Sequence, residues 1–231
     1  MLESSPMCGR YQLSLPIEEL EELFQSTASV HFEVRYNIAP TQKVPIIRHR
    51  QGQRHLDTVH WGLVPEWAAD KTMASRMINA RSETVAEKPS FRESFRYRRC
   101  LIPATGFYEW ARENRKKTPY LVTVKSQPVY AMAGIWSHWK GPGGDYESCA
   151  VITTEAAASI RHIHERMPVI LHPSQFTNWL DSQSSKQTLL NLCIPIPDEF
   201  IHVRAVSDHV NSARNDDPRC EADPVVQGVL F

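Results

Sequence analysis

Short runs rich in β-branched and aromatic residues dominate the chain, and few stretches show helical spacing. Val44–Arg48, His55–Trp61, Cys100–Pro103, Phe107–Trp110, Tyr120–Val124, Val129–Trp136 and Ser148–Thr153 read as strands. Lys140-Gly-Pro-Gly-Gly-Asp145 separates the last two, which predicts a turn and a hairpin. Pro168–Leu171 reads as a short buried strand and His202–Val206 as a final one. Helical spacing appears first at Ser14–Phe24. Ile17, Leu20 and Phe24 form one face, Ser14 is the predicted cap, and Pro16 sits in the first turn. Glu18, Glu19, Glu21 and Glu22 occupy the wet face. Glu155–Ile163 (capped by Thr154), Ser174–Leu180 and Ser184–Leu192 are the other predicted helices. The order lacks βαβ regularity. It predicts an α+β fold built on a mainly antiparallel, curved sheet with flanking short helices.

Composition sharpens this picture at three points. A chain of 231 residues suits one large domain or two small ones, and such a chain buries roughly 70% of its unfolded surface. With 42% hydrophobic residues it is neither fibrous nor largely disordered. The balance of 26 basic and 26 acidic residues argues against binding a polyanion through bulk charge. The zero is a cancellation, however. Residues 1–36 hold two basic and six acidic residues, whereas residues 71–99 hold eight basic and three acidic ones, among them Arg76, Arg81, Lys88, Arg92, Arg96, Arg98 and Arg99. Trp67, Phe91, Phe95 and Tyr97 interleave with these cations. Cations for phosphates and rings for exposed bases fit a single-strand nucleic-acid groove. A solvated helix with buried rings fits the same pattern. Finally, the five cysteines are odd in number and lack a C-x-x-C pair, which predicts reduced, mostly buried thiols and no zinc site. No run is long enough to span a bilayer, and residues 1–7 have no secretory pattern.

Five residues could carry chemistry. Met7-Cys8 resembles a second start, and removal of Met7 would leave Cys8 with a free amine and a thiol on adjacent carbons. Both groups have usable nucleophilic fractions near neutrality. The amine can condense with an aldehyde, and the thiol can close a five-membered thiazolidine. Otherwise Cys8 is a buried structural thiol. Glu109 lies inside Gly106-Phe-Tyr-Glu-Trp110, where burial would raise its pKa toward general acid–base work. An edge-strand carboxylate facing water is the alternative. His164, in Ile163-His-Glu-Arg-Met-Pro168, sits at a helix-to-strand junction and is either a proton shuttle or a polar turn residue. Asn79 and Arg81 share a face if their segment is extended. That pairing can orient a nucleophile and clamp a phosphate, or be merely a capping Asn and a surface Arg.

With these residues in view, the chain resembles the SOS-response-associated peptidase (SRAP) family. The matching stretches are Met7–Tyr11, Arg35–Gln42, Trp61–Trp67, Ile78–Thr84, Gly106–Trp110, Met132–Trp136 and Ile163–Pro168, in family order, with Val210-Asn-Ser212 near the end. The resemblance implies a single barrel-like domain over residues 7–220, with 1–6 as an extension and 221–231 as a tail. It implies sensing of abasic sites in single-stranded DNA and at junctions with duplex, through a covalent thiazolidine crosslink made by Cys8. Asn79, Glu109 and His164 match its other active-site residues. Arg10, Arg81 and Arg166 match phosphate-holding positions, and Arg92 joins this DNA-binding set. Trp67 and Phe91 would stack on or wedge bases, and Asn37 and Pro40 would shape the pocket floor. No metal or organic cofactor is implied. A monomer is expected, in the cytoplasm of a bacterium or the nucleus of a eukaryote. The family name reflects a proposed self-cleavage that exposes the cysteine, so a cysteine peptidase using Cys8, His164 and Asn79 is one rival. A non-catalytic single-strand DNA binder is another.

Overall fold

Two sheets and a set of short helices make up the computed structural model, which describes residues 8–113, 116–125 and 127–224. The predicted extension, residues 1–6, lies outside the described residues, as does most of the predicted tail 221–231. The strands are β1 (Tyr11–Leu13), β2 (Ser26–Ala28), β3 (Arg35–Ile38), β4 (Lys43–Arg50), β5 (Gln53–Trp61), β6 (Asn79–Arg81) and β7 (Arg99–Ala104). They continue with β8 (Gly106–Glu113), β9 (Lys116–Val124), β10 (Tyr130–Gly141), β11 (Gly144–Glu155), β12 (Arg166–Pro168), β13 (Ile170–Leu171) and β14 (Ile201–Ala205). The helices are α1 (Ile17–Phe24), α2 (Arg92–Tyr97), α3 (Ala158–Arg161), α4 (Phe176–Leu180) and α5 (Lys186–Leu192).

The expected hairpin is present. Strands β10 and β11 pair from Gly134↔Val151 to Gly141↔Gly144. Gly143 and Gly144 make the turn at φ +92° and +94°, where a side chain would be strained. This hairpin helps close a small barrel. Neighbours run β11-β10-β7-β4-β5, and β5 returns to β11 in a parallel pairing at His60↔Ser148 and Trp61↔Cys149. The enclosure is tight: a Cβ on Gly134 would stand 2.8 Å from the Cys100 sulfur and from Ile102. A second sheet, β14-β9-β8-β1-β3, packs beside it, with Phe107 and Val122 contributing to the main core. The mixed α+β class with a curved, mainly antiparallel sheet is as expected.

Two of the local differences have a plain physical reason. Ser14 does not cap α1; its backbone N–H and hydroxyl bond the Thr105 hydroxyl, and Pro16 takes the cap position. The predicted helix at 155–163 shrinks to α3, because Thr154 and Glu155 are already paired with Met167 and Arg166 in the β11–β12 ladder. The buried face of α1 is the predicted one, Ile17, Leu20 and Phe24.

Arg99 ties the helices to the barrel. Its guanidinium donates to the carbonyls of Phe95 and Arg96 at the end of α2, and to those of Trp179 and Asp181 at the end of α4. The residue is buried, so truncation leaves helix-end acceptors unpaired at about 1–3 kcal/mol each. Arg99→Ala should therefore lower unfolding free energy by roughly 3 kcal/mol or more in a urea titration. Arg99→Lys should restore only part of it, because an ammonium has no planar fork.

Candidate active site

Cys8 lies just ahead of β1, and β1 pairs with β8 at Tyr11↔Phe107. That pairing brings the start of the chain to the strand that carries Glu109. Along β8, Phe107 packs into the main core while Tyr108 and Trp110 pack into a separate cluster with Val206, Val210 and Cys220. By alternation Glu109 shares the Phe107 face. It is therefore interior, at 4% exposure. The edge-strand alternative does not hold.

Glu109 Oε1 accepts a 2.8 Å hydrogen bond from the backbone nitrogen of Cys8. The same carboxylate also faces the Cys8 thiol. Burial raises the pKa of Glu109, and a charge on His164 pulls it partly back. Burial likewise pushes the Cys8 thiol up, reinforced by the Glu109 charge and opposed by Arg166. The thiol is thus held protonated beside a carboxylate whose own affinity for a proton is raised by burial. Cys8 Sγ lies 4.0 Å from the Arg166 carbonyl oxygen, toward which it donates weakly.

His164 stands between α3 and β12. Its Nδ1 accepts from the backbone N–H of Arg166 at 3.0 Å. A neutral ring held this way carries its proton on Nε2, directed away from that bond. Asn79 and Arg81 lie on β6, which runs parallel to β11 at Val151 and Thr153. Ala80 between them is buried and Arg81 is exposed, the alternation expected of an extended segment.

The proposed phosphate-holding arginines differ in availability. Arg81 and Arg92 are exposed, with Arg92 beside Glu93. Arg166 is engaged: Nη1 and Nη2 bond Glu83 at 2.5 and 3.0 Å, and Nη2 also bonds the Thr153 carbonyl at 2.6 Å. Arg10 donates to Asn37 Oδ1 at 2.7 Å and to the Val210 carbonyl at 2.9 Å, and lies over the Trp110 ring. Asn37 is fully buried and donates to the carbonyls of Val210, Ser212 and Asn215, so it anchors the 210–216 segment. Pro40 is half-buried at the turn after β3.

Two aromatic positions separate sharply. Trp67 is 62% exposed, and its neighbour Glu66 bonds Arg98 at 2.5 Å, joining this loop to the end of α2. Phe91 is 6% exposed and belongs to the main core. It offers almost no face to a base, which corrects the stacking role expected of it. Its basic neighbours made it look like a groove residue, but α2 turns it inward with Phe95 and leaves Tyr97 outside at 53% exposure. Glu83, which holds Arg166, was not singled out from the sequence. Glu83 does lie within the Ile78–Thr84 stretch that carried the resemblance.

The five cysteines are all free and buried. Among the described residues, no cluster of metal-binding side chains occurs, and no helix is long and apolar enough to cross a membrane.

The family model for SOS response associated peptidase (SRAP) matches residues 7–213. The chain belongs to the SRAP family. It is similar to the Bacillus subtilis abasic site processing protein YoqW, at 37% identity over 218 residues, covering 92% of this chain and 97% of that one. The HMCES protein of Xenopus tropicalis, also named an abasic site processing protein, is 32% identical, covering 94% of this chain and 78% of its own. Escherichia coli YedK, of the same description, is 31% identical over 82% and 88% of the two chains. A crystal structure of a Bacteroides thetaiotaomicron protein superimposes with a TM-score of 0.86 at 27% identity, covering 94% of this chain and 99% of that one. The SRAP match encloses Cys8, Asn79, Glu109 and His164.

Proposed function

We propose that this protein processes abasic sites in DNA by forming a covalent thiazolidine through Cys8, once the residues before it are removed and its nitrogen is a free amine. The observation that carries this reading is the 2.8 Å bond from the Cys8 nitrogen to Glu109. It sets a buried proton acceptor at the atom that must lose a proton to become a nucleophile. Family membership and relatives named for abasic-site processing support it.

The reaction balances as follows. The neutral amine attacks the aldehyde carbon of the ring-opened deoxyribose. Loss of one water gives an imine, and the thiol adds to the imine carbon while its proton goes to nitrogen. Glu109, with its raised affinity for a proton, takes the ammonium proton and returns it to the departing hydroxyl. His164 donates from Nε2 to a hydroxyl of the opened sugar. Asn79 holds the Cys8 end in register. Arg81, Arg92 and the guanidinium of Arg166, after exchanging Glu83 for phosphate, bind the backbone, and Arg10 supports them from the Asn37 side. Trp67 stacks on a base at the edge of the site, which suits single-stranded DNA and its junctions. The protein acts as a monomer without a cofactor.

A cysteine peptidase is less well supported. Among the described residues, the thiol is directed at a backbone carbonyl and faces a carboxylate, with no histidine nitrogen bonded to it. The test is direct. A chain beginning at Cys8 is incubated with single-stranded DNA containing one abasic site and run on a denaturing gel. A heat-stable protein–DNA band, absent with intact DNA, is expected; no band would hand the function to non-covalent binding or peptide hydrolysis.

A further inference from the structure

Arg166 belongs to the wall around Cys8: its carbonyl oxygen lies 4.0 Å from the Cys8 sulfur, and its backbone N–H bonds His164. Its guanidinium is fixed from β11 by the Thr153 carbonyl, 2.6 Å from Nη2. The same carbonyl accepts the Ser82 N–H at 2.9 Å, where β6 ends and the chain turns back with Thr84 N–H on the Arg81 carbonyl at 3.1 Å. Glu83 is the third residue of that turn. From there both of its oxygens reach Arg166, at 2.5 and 3.0 Å.

The two partners differ in freedom. The Arg166 side chain is 13% exposed and that of Glu83 is 48% exposed. Arg166 is the anchored half of the pair, and Glu83, on a surface turn, is the half that can swing into water. Arg166 Nε is also buried and, among the described residues, has no acceptor, so the guanidinium has donor capacity that Glu83 leaves unused. A planar fork that binds two carboxylate oxygens suits two phosphate oxygens equally. Arg81, two residues before Glu83, is exposed. A DNA backbone drawn to Arg81 therefore arrives beside the glutamate. We propose that Glu83 is an internal stand-in for a backbone phosphate, which keeps Arg166 occupied in the free protein and lowers the affinity of the site for intact DNA. Only the fraction of molecules with Glu83 swung out can offer the fork, and apparent affinity falls by that fraction. Once displaced, the carboxylate stays near the phosphate as a like charge. Binding without an aldehyde is thus kept loose, and retention is left to the covalent step. The inference rests on the proposed binding of phosphate by Arg166, not on the thiazolidine.

Fluorescence anisotropy with a labelled, intact single strand tests it over a range of salt concentrations. The parent beginning at Cys8 is compared with Glu83→Gln, Arg166→Gln and the double variant. Glutamine keeps the shape of Glu83 and removes its charge. Glu83→Gln should bind about twofold to fivefold tighter, the range for giving up a half-exposed ion pair. Its plot of log affinity against log salt should steepen by up to about 0.7, the value of one phosphate contact on a single strand. Arg166→Gln should bind more weakly, and adding Glu83→Gln to it should gain less than in the parent. Equal or weaker binding by Glu83→Gln overturns the inference, because the glutamate would then hold Arg166 ready for DNA. A gain of the same size without Arg166 also overturns it, since any negative charge removed there would do as much. If Arg166→Gln binds like the parent, the phosphate role of Arg166 fails and takes the inference with it. Adduct formation is read separately on abasic DNA, so a failure of the thiazolidine mechanism shows there and not in the anisotropy.

Discussion

A chain that keeps Met7 in front of Cys8 should form no heat-stable adduct with abasic DNA, whereas the chain beginning at Cys8 should form one. The nitrogen is the reason. In the longer chain its lone pair is delocalised into a planar peptide group, so it cannot attack an aldehyde. The thiol alone gives a hemithioacetal, which reverts. Burial compounds the loss, because Cys8 is almost wholly enclosed and Glu109 already holds its N–H. A third chain, beginning at Cys8→Ser, separates the two nucleophiles. Its amine should still condense to an imine that borohydride traps, but without reduction the gel band should vanish on heating. Equal adduct yields from the Met7-capped and Cys8-first chains would show that the amine is not the nucleophile and would sink the thiazolidine mechanism.

The long strands were legible because they carry their own pattern. The β10–β11 hairpin has apolar runs on both sides of a glycine-rich turn, and α1 shows its buried stripe at helical spacing. The strands that build the site were much harder to see. Tyr11–Leu13, Arg35–Ile38 and Asn79–Arg81 span three or four residues each, too short for periodicity to speak, and the sheets alone define them. Cys8, Asn37, Asn79 and Arg81 could therefore be suspected from residue type and resemblance, but not placed. Ser14 failed as a cap for a related reason: a hydroxyl 91 residues away competed for it, which no local window contains. Phe91 failed because composition cannot tell the wet face of a one-turn helix from its dry face.

Glu109→Gln should separate stability from chemistry more cleanly than any other change. On the chemical side it removes the proton carrier and keeps the shape, so adduct formation by the Cys8-first chain should fall by about 10²–10⁴-fold, the usual range for losing a general acid–base group. On the stability side the sign depends on the state of the nitrogen. In the longer chain Cys8 offers an amide N–H, and burial holds the Glu109 pKa above its unfolded value of about 4.3. The folded state then binds that proton more readily than the unfolded chain. The contribution is fully present below the unfolded pKa and is lost as pH rises through the folded one. At neutral pH the native carboxylate is therefore a burden that glutamine does not carry. Glu109→Gln in the longer chain should melt higher than the parent at pH 7, and the two should converge near pH 4, with each kcal/mol gained worth about 2–4 °C at this size. In the chain beginning at Cys8, an ammonium would occupy the place of the amide and favour the carboxylate. The advantage of glutamine should then shrink or reverse. Calorimetric melting of all four proteins at pH 4 and pH 7 checks the pattern. An adduct rate unchanged by Glu109→Gln would remove Glu109 from the chemistry, and a lower melting temperature for the longer variant at pH 7 would make it a structural residue.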